Sequence, residues 1–238
     1  MVALGVVGLI HGDFTVIWEP VSKSVPARGA LAYLCAFVCV ACGVGLLWQR
    51  SAAGAARTLL AYLLLWLLLF RLPQFSRGVT VDVYWAACRT AAIVAAVWVL
   101  YAWFATDWDR RRVRFAIGGS GARIARALYG IAIIPFGIAH FQFVKQTAAQ
   151  VPAWLPAHVA WVYVTGGAFI AAGLAIVIGV QARLAAVLSA WEMGLFLLLV
   201  WIPVVVKGSL SPFQWGETIV TWVLTAAAWV VADSYGRT

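Results

Sequence analysis

The sequence predicts an all-α polytopic membrane protein of about eight transmembrane helices, arranged as two parallel four-helix repeats. Three observations carry that expectation. First, a 238-residue chain that is 65% hydrophobic and 11% charged, with mean hydropathy +0.96, cannot hide its apolar residues in one soluble core. Second, stretches such as Leu59 to Phe70 are almost continuously apolar; a membrane β-barrel would alternate apolar and polar residues instead. Third, Gly137-Ile-Ala-His140 followed by Val151-Pro-Ala-Trp-Leu-Pro156 has a weaker echo in Gly8-Leu-Ile-His11 followed by Val25-Pro-Ala27. A helix crosses the ~30 Å hydrocarbon layer in about 20 residues, which leaves room for short loops and no extended soluble domain.

The first unit, residues 1–105, opens with a span over about Val2 to Trp18 that is interrupted near its far end by His11 and Asp13. Its abrupt start implies that the natural or ancestral beginning lies upstream, since aligning Gly8 with Gly137 sets Met1 opposite Gly130. A polar turn with Glu19, Lys23 and Pro26 leads to a second span, about Ala30 to Leu47. The short basic loop Gln49 to Arg57 then gives way to a third span, Thr58 to Phe70. Arg71, Pro73, Gln74, Arg77 and Asp82 form an exit loop, and the fourth span, about Tyr84 to Phe104, carries Arg89 near its start.

Residues 106–126 form a basic cytoplasmic linker containing Asp109-Arg-Arg-Arg112, Arg114, Gly118-Gly-Ser-Gly121 and Arg123. Its glycines lack the Lys-Ser/Thr and the preceding strand of a phosphate-binding loop. A flexible segment facing the lipid surface is the expectation. The second unit, residues 127–238, repeats the plan with spans at about Ala127 to Val144, His158 to Val180, Leu184 to Val206 and Gly216 to Ala232. Matching Arg57 with Arg183 aligns the short basic loops and sets Glu192 opposite Trp66. With an even number of spans in each unit, both copies enter and leave on one side.

The net charge of +9 does not point to nucleic acid, because the largest single share of the excess, six arginines against two aspartates, sits in the one linker beside the lipid. Arg50, Arg57, Arg110, Arg111, Arg112, Arg114, Arg123, Arg126, Arg183 and Arg237 fall on one face. Lys23, Arg28, Arg71, Arg77, Lys145 and Lys207 fall on the other. The positive-inside rule therefore places both termini in the cytoplasm of a bacterial-type inner membrane, with every histidine and both Val-Pro-Ala loops toward the outer side.

An ionisable side chain at membrane depth costs about 2.5 to 3.5 kcal/mol on insertion scales, so each one should face protein or a wet cavity. His140 lies one to two turns before Lys145, and His11 occupies the matching place in the first unit. Asp13 and Gln142 follow two residues after these histidines, a spacing that does not share a helix face. Neutral imidazole bordering an outward-facing pocket can bind a quinone carbonyl, pass a proton or ligate haem iron. The bland alternative is a histidine hydrogen-bonded between helices that only fixes packing. Bis-histidine haem needs both rings on one iron, and nothing in the sequence brings the first and fifth spans together, so haem is not expected. Glu192 sits mid-span among Trp191, Met193 and leucines, where it either joins a proton route or meets a cation. Glu192 or Glu217 is expected to neutralise Arg89, although a snorkelling Arg89 and an edge-exposed Glu217 would need no function.

Cys35, Cys39 and Cys42 share one face of the second span, among alanines and glycines, and are read as small packing residues with no metal site. Trp18, Trp154, Trp161, Trp201 and Trp215 lie near span ends and are read as interfacial anchors. Trp154, held between Pro152 and Pro156, is also placed to cap a cavity.

Gly137-x-x-His140, Val151-Pro-Ala-Trp-Leu-Pro156, Thr165-Gly-Gly167, Gly173 and Arg183-Leu-Ala-Ala186 resemble the DoxX-like superfamily of four-helix membrane proteins, which includes the small DoxD subunit of thiosulfate:quinone oxidoreductase. The resemblance covers about Arg126 to Ala232, and the first unit lacks the Trp-Leu-Pro of the loop. It implies a membrane four-helix bundle, often an accessory partner of redox enzymes. The functional expectation is thus a membrane subunit or anchor for quinone-linked redox chemistry, with a soluble or peripheral redox subunit as partner and His140 and Glu192 lining the site. A small-solute transporter and a ligand-free assembly factor are the competing expectations.

Overall fold

The computed structural model describes residues 1–208 and 211–236, with the backbone alone for Arg77, Pro212 and Phe213. Arg237, counted above among the cations of the basic face, lies outside the described residues. The described chain is helical throughout, without strands: α1 (Val2–His11), α2 (Arg28–Gly45), α3 (Gln49–Trp66), α4 (Val81–Phe104), α5 (Asp107–Arg112), α6 (Gly118–Gln142), α7 (Val144–Ala148), α8 (His158–Ile178), α9 (Ala182–Phe196), α10 (Ile202–Val206) and α11 (Pro212–Ser234). Seven helical stretches among the described residues are long and apolar enough to cross a membrane, which fits a multi-pass membrane protein.

The eighth expected span is not a span of that kind. At 10 residues α1 rises about 15 Å, half the hydrocarbon thickness. It stops because Gly12 adopts the left-handed conformation (φ 64°) and returns its amide to the Gly8 carbonyl, a glycine C-cap. The chain then folds back into the protein instead of continuing to Trp18 as one helix. Phe14, Thr15, Ile17 and Trp18 are all buried. Trp18 is accordingly no interfacial anchor: it packs edge-on against Trp66 (4.9 Å) and Tyr62 (5.7 Å).

The helices α3 and α9 break the α pattern at matching places. Each passes into a π turn, Leu67–Arg71 and Leu197–Trp201, in which the amide of Leu72 or Ile202 reaches back to the carbonyl of Leu67 or Leu197. The cause is the next residue, Pro73 or Pro203, which has no amide proton and whose ring would strike the carbonyl four residues earlier. Ala27 and Ala157, each after a proline, take the same left-handed conformation at the starts of α2 and α8 (φ 53° and 57°).

The packing order is α1 on α2, α2 on α3, α3 on α4, and then α4 on both α6 and α11; α6 packs on α8, α8 on α9, and α9 on α11. Helix α4 is the most enclosed of the seven. The closest crossing is α6 on α8, where Gly130 and Gly137 face Gly173 and Gly166. A Cβ on Gly173 would lie 2.6 Å from the Gly130 carbonyl oxygen, so the backbones touch.

At the basic end, Asp109 is completely buried and ties three elements together. It accepts from the Thr106 amide and hydroxyl (2.9 and 2.6 Å), from Tyr101 of α4 (2.9 Å) and from Arg57 of α3 (2.9 Å). Burial alone would raise its carboxyl, but the Thr106, Tyr101 and Arg57 hydrogen bonds outweigh it and hold the group at about 2. The linker is therefore anchored at Asp109, not uniformly flexible.

Candidate functional site

His140 stands in the last turn of α6, which runs through Pro135 without breaking. Its Nδ1 lies 2.7 Å from the Phe136 carbonyl oxygen, which can only accept. Nδ1 therefore carries a hydrogen, and among the described residues Nε2 has no hydrogen-bond partner. The ring packs beside Phe169 of α8 (5.7 Å) and Phe196 of α9 (5.6 Å), which stack on each other at 6.1 Å and 12°. Phe136 closes the side, against Phe169 (6.0 Å) and Trp85 of α4 (4.9 Å). This aromatic box depends on the glycine crossing: a Cβ on Gly166 would come within 2.9 Å of the His140 Cβ and 3.1 Å of the Gly137 carbonyl. The motif residue Gly137 is thereby explained as a contact point between helices.

Glu192 lies one turn before Phe196 on α9, so the two share a helix face, with Glu192 about 6 Å nearer the basic end. Its Oε1 is buried and has no hydrogen-bond partner. One turn further back, Ser189 meets the Tyr129 hydroxyl at 3.1 Å and donates to the Ala186 carbonyl. The Glu192 carboxyl is within electrostatic reach of Tyr129. Phe196, which packs on His140, thus lies one turn along α9 from Glu192.

Arg89 and Glu217 do pair, Nη1 to Oε1 at 3.0 Å across α4 and α11, with side chains only 8% and 16% exposed. Glu217, not Glu192, is the counter-charge. The pair is next to the aromatic box, because Trp85 lies one turn from Arg89 on α4 while packing on Phe136, one turn from His140.

The first-unit residues do not form an equivalent box. His11 repeats the local bond, Nδ1 to the Val7 carbonyl at 2.9 Å, but is exposed at the end of α1. Asp13 turns away from it to accept from the Phe14 amide (2.7 Å) and from Arg28 (2.6 Å), whose guanidinium also lies 5.1 Å above the Phe14 ring. Partial burial works against the Asp13 carboxylate; the Phe14 and Arg28 hydrogen bonds overcome that and hold it below the usual carboxylate range. Gln142 is exposed and accepts from the Tyr84 hydroxyl, fastening the end of α6 to α4.

The proline loop is structural at its base. Pro152 accepts from the Leu155 amide (2.9 Å) and Pro156 accepts from the Trp161 indole (3.1 Å), which sets Ala157 to begin α8. Trp154 is 71% exposed, so it caps no cavity and is free to lie at an interface. Cys35, Cys39 and Cys42 all turn into the protein, and the Cys35 thiol meets the Tyr62 hydroxyl at 3.1 Å. A surface cleft of about 450 Å3 lies away from the aromatic box, at the basic end, lined by Arg110, Arg114 and Gly118 to Ser120.

One polar residue of this region escaped the sequence reading. Arg71, counted among the exit-loop cations, is fully buried and donates to the carbonyls of Ile17 (2.8 Å) and Pro20 (3.4 Å). Its position, the last residue of a π turn two before a proline, was the available signal; what it contacts depends on the folded-back segment after α1. No family model, no curated protein and no solved structure matches this chain.

Proposed function

We propose that the chain is an integral membrane subunit or anchor for quinone-linked redox chemistry, and that the aromatic box around His140 receives the quinone head group. The observation that carries this reading is an imidazole whose Nδ1 donates to the Phe136 carbonyl and whose Nε2 has no partner among the described residues, walled by Phe169 and Phe196. Stacked rings suit a flat apolar ring, and Nε2 accepts a hydrogen bond from a quinol hydroxyl. When a soluble or peripheral partner oxidises the quinol to quinone, two electrons pass to that partner, one hydroxyl proton passes to Nε2 and the second hydroxyl proton leaves to water. Phe196 is the last residue before the π turn Leu197–Trp201, so it sits at the point of α9 with the least regular backbone and can swing to admit the ring. Glu192, one turn deeper, is the next proton acceptor on that path.

The test is titration of the purified chain in micelles with a short-chain quinone analogue, followed by quenching of tryptophan fluorescence. Saturable quenching is expected, weakened about tenfold or more by His140→Ala, the loss of one buried hydrogen bond plus ring contact. Absence of binding, or binding unchanged in His140→Ala, rejects the reading.

We further infer that two parallel four-helix repeats underlie the fold. Markers recur at a separation of 130 residues: Ala27 and Ala157, Gly43 and Gly173, Leu67 and Leu197 opening the π turns, and Pro73 and Pro203. This register sets Glu192 opposite Tyr62 and Phe196 opposite Trp66, in place of the match of Glu192 with Trp66 that the basic loops suggested. Trp66, like Phe196, directly precedes a π turn and packs on aromatics of the segment after the first helix, Phe14 at 5.7 Å and Trp18 at 4.9 Å. The resemblance of residues 126–232 to the DoxX-like superfamily supports the same four-helix unit, and the asymmetry of arginines supports a cytoplasmic basic end in a bacterial-type inner membrane.

A further inference from the structure

Arg71 and Arg89 present a charge problem that the protein's own residues leave open. Arg71 is fully buried and Arg89 is 6% exposed. They come from packed helical segments, the end of the α3 π turn and the third turn of α4, and lie close enough to repel one another. Among the described residues one carboxylate touches either of them, Glu217 on Arg89. Glu19 is within electrostatic reach of Arg71 but is exposed and makes no contact with it. One positive charge is therefore unmatched at a place shielded from water, where charge is costly unless paired.

Hydrogen bonding shows the same shortfall. Arg71 spends two donors on the carbonyls of Ile17 and Pro20, and its Nε is buried with no acceptor. Arg89 spends Nη1 on Glu217, and its Nη2 is buried with no acceptor. Unmade donors on a guanidinium are among the more expensive defects a folded protein carries. Over this spot lies the segment after α1, held to Arg71 by Ile17 and Pro20 and seated on α11 through Val16, which occupies the space beside Gly216. That segment has no helical ladder of its own and is fastened by the Arg71 and Gln74 donors on Ile17 and Pro20, by the Asp13–Arg28 pair and by the buried Phe14, Ile17 and Trp18.

We propose that Arg71 and Arg89 form a binding site for the oxyanion head of a carboxylate or phosphate, reached from the end of the bundle opposite the basic linker and covered by residues 12–20. The two oxygens of such a head accept from Arg71 Nε and Arg89 Nη2, and its charge cancels the unmatched guanidinium. Glu217 then acts as the regulator of the site, since it holds Arg89 and limits the net charge to one. The site adjoins the His140 box through Trp85 but uses none of the residues assigned to the quinone, and it stands or falls independently of the quinone reading.

The experiment measures the thermal unfolding midpoint of the full chain by tryptophan fluorescence, in neutral micelles titrated with inorganic phosphate or acetate at constant ionic strength, and in nanodiscs of phosphatidylcholine with or without phosphatidylglycerol. A saturable rise in midpoint is expected. A rise with phosphate or acetate in micelles identifies a soluble anion; a rise only with phosphatidylglycerol identifies a lipid head group. Arg71→Gln and Arg89→Gln should each weaken the apparent affinity about tenfold or more, the cost of a charge-assisted bond. Glu217→Gln should tighten it, and Arg71→Lys should retain a measurable response; a purely structural arginine predicts neither. No midpoint shift with any of these anions overturns the proposal, as does an equal shift in wild type, Arg71→Gln and Arg89→Gln. If both arginine variants fail to fold, an anion affinity unchanged in Glu217→Gln overturns it.

Discussion

Arg89 of α4 and Glu217 of α11 meet at 3.0 Å inside the protein, each nearly excluded from solvent, on the seam where α4 packs against α11. Removing either partner strands the other. Arg89→Met or Glu217→Met alone should destabilise the chain by about 3 to 5 kcal/mol, whereas Arg89→Met combined with Glu217→Met should recover most of that loss. Unfolding in mixed micelles of the four proteins supplies the cycle, and additive losses would show that the pair is not coupled.

Gly166 and Gly167 are neighbours with opposite surroundings. A Cβ on Gly166 meets His140 and the Gly137 carbonyl, while one on Gly167 meets nothing within 4 Å. Gly166→Ala should force α6 and α8 apart, costing about 1 to 3 kcal/mol as overpacking does, and should disturb the His140 box. Gly167→Ala should be neutral or stabilising by up to about 1 kcal/mol through helix propensity. Equal behaviour of the two variants in thermal unfolding would contradict the close crossing.

Asp109 gives the basic end a defined acid response. Its carboxyl ionises at about 2 in the folded chain against an ordinary 3.8, so its contribution is complete above pH 4 and disappears as pH falls towards 2. With Arg57 part-exposed, the contribution is about 1 to 2 kcal/mol after screening. Asp109→Asn should lose that amount at neutral pH and flatten the stability profile between pH 4 and 2. A profile identical to wild type would mean that the buried carboxylate contributes nothing.

Glu192 carries a buried oxygen with no partner, a feature that works against stability. Glu192→Leu should therefore raise stability by about 1 to 3 kcal/mol in chemical unfolding, with Glu192→Gln between the two. Quinone-analogue binding should weaken in the same Leu variant if the acid serves the box. A loss of stability in Glu192→Leu would show that the carboxyl has a partner after all.

Much of the candidate site was visible before folding was considered. His140, Glu192, Arg89 and Glu217 stand out because an ionisable group in an apolar run is costly and needs a reason. Their grouping was not visible. Which carboxylate answers Arg89 depends on α11 lying beside α4, and His140 meets Phe196 only because glycines let α6 and α8 touch. Arg71 looked like a loop cation because it precedes Leu-Pro at the end of a leucine run. It is buried because Pro73 forces a π turn and because the chain after Gly12 folds back to offer Ile17 and Pro20 carbonyls.

By itself the sequence determined the all-helical, membrane-crossing class, the places where helices break and the short inventory of costly polar residues. These follow from local physics: hydrophobic runs of bilayer length, prolines without an amide, glycines that tolerate left-handed turns. Tertiary structure alone decided that the segment after α1 folds back and is buried, that Trp18 belongs to the core, and that Arg89 pairs with Glu217 while Arg71 faces inward. The reason is that partner choice inside a bundle is set by which helix faces are adjacent, and adjacency comes from packing at the glycine crossings and at α4, which no single segment encodes.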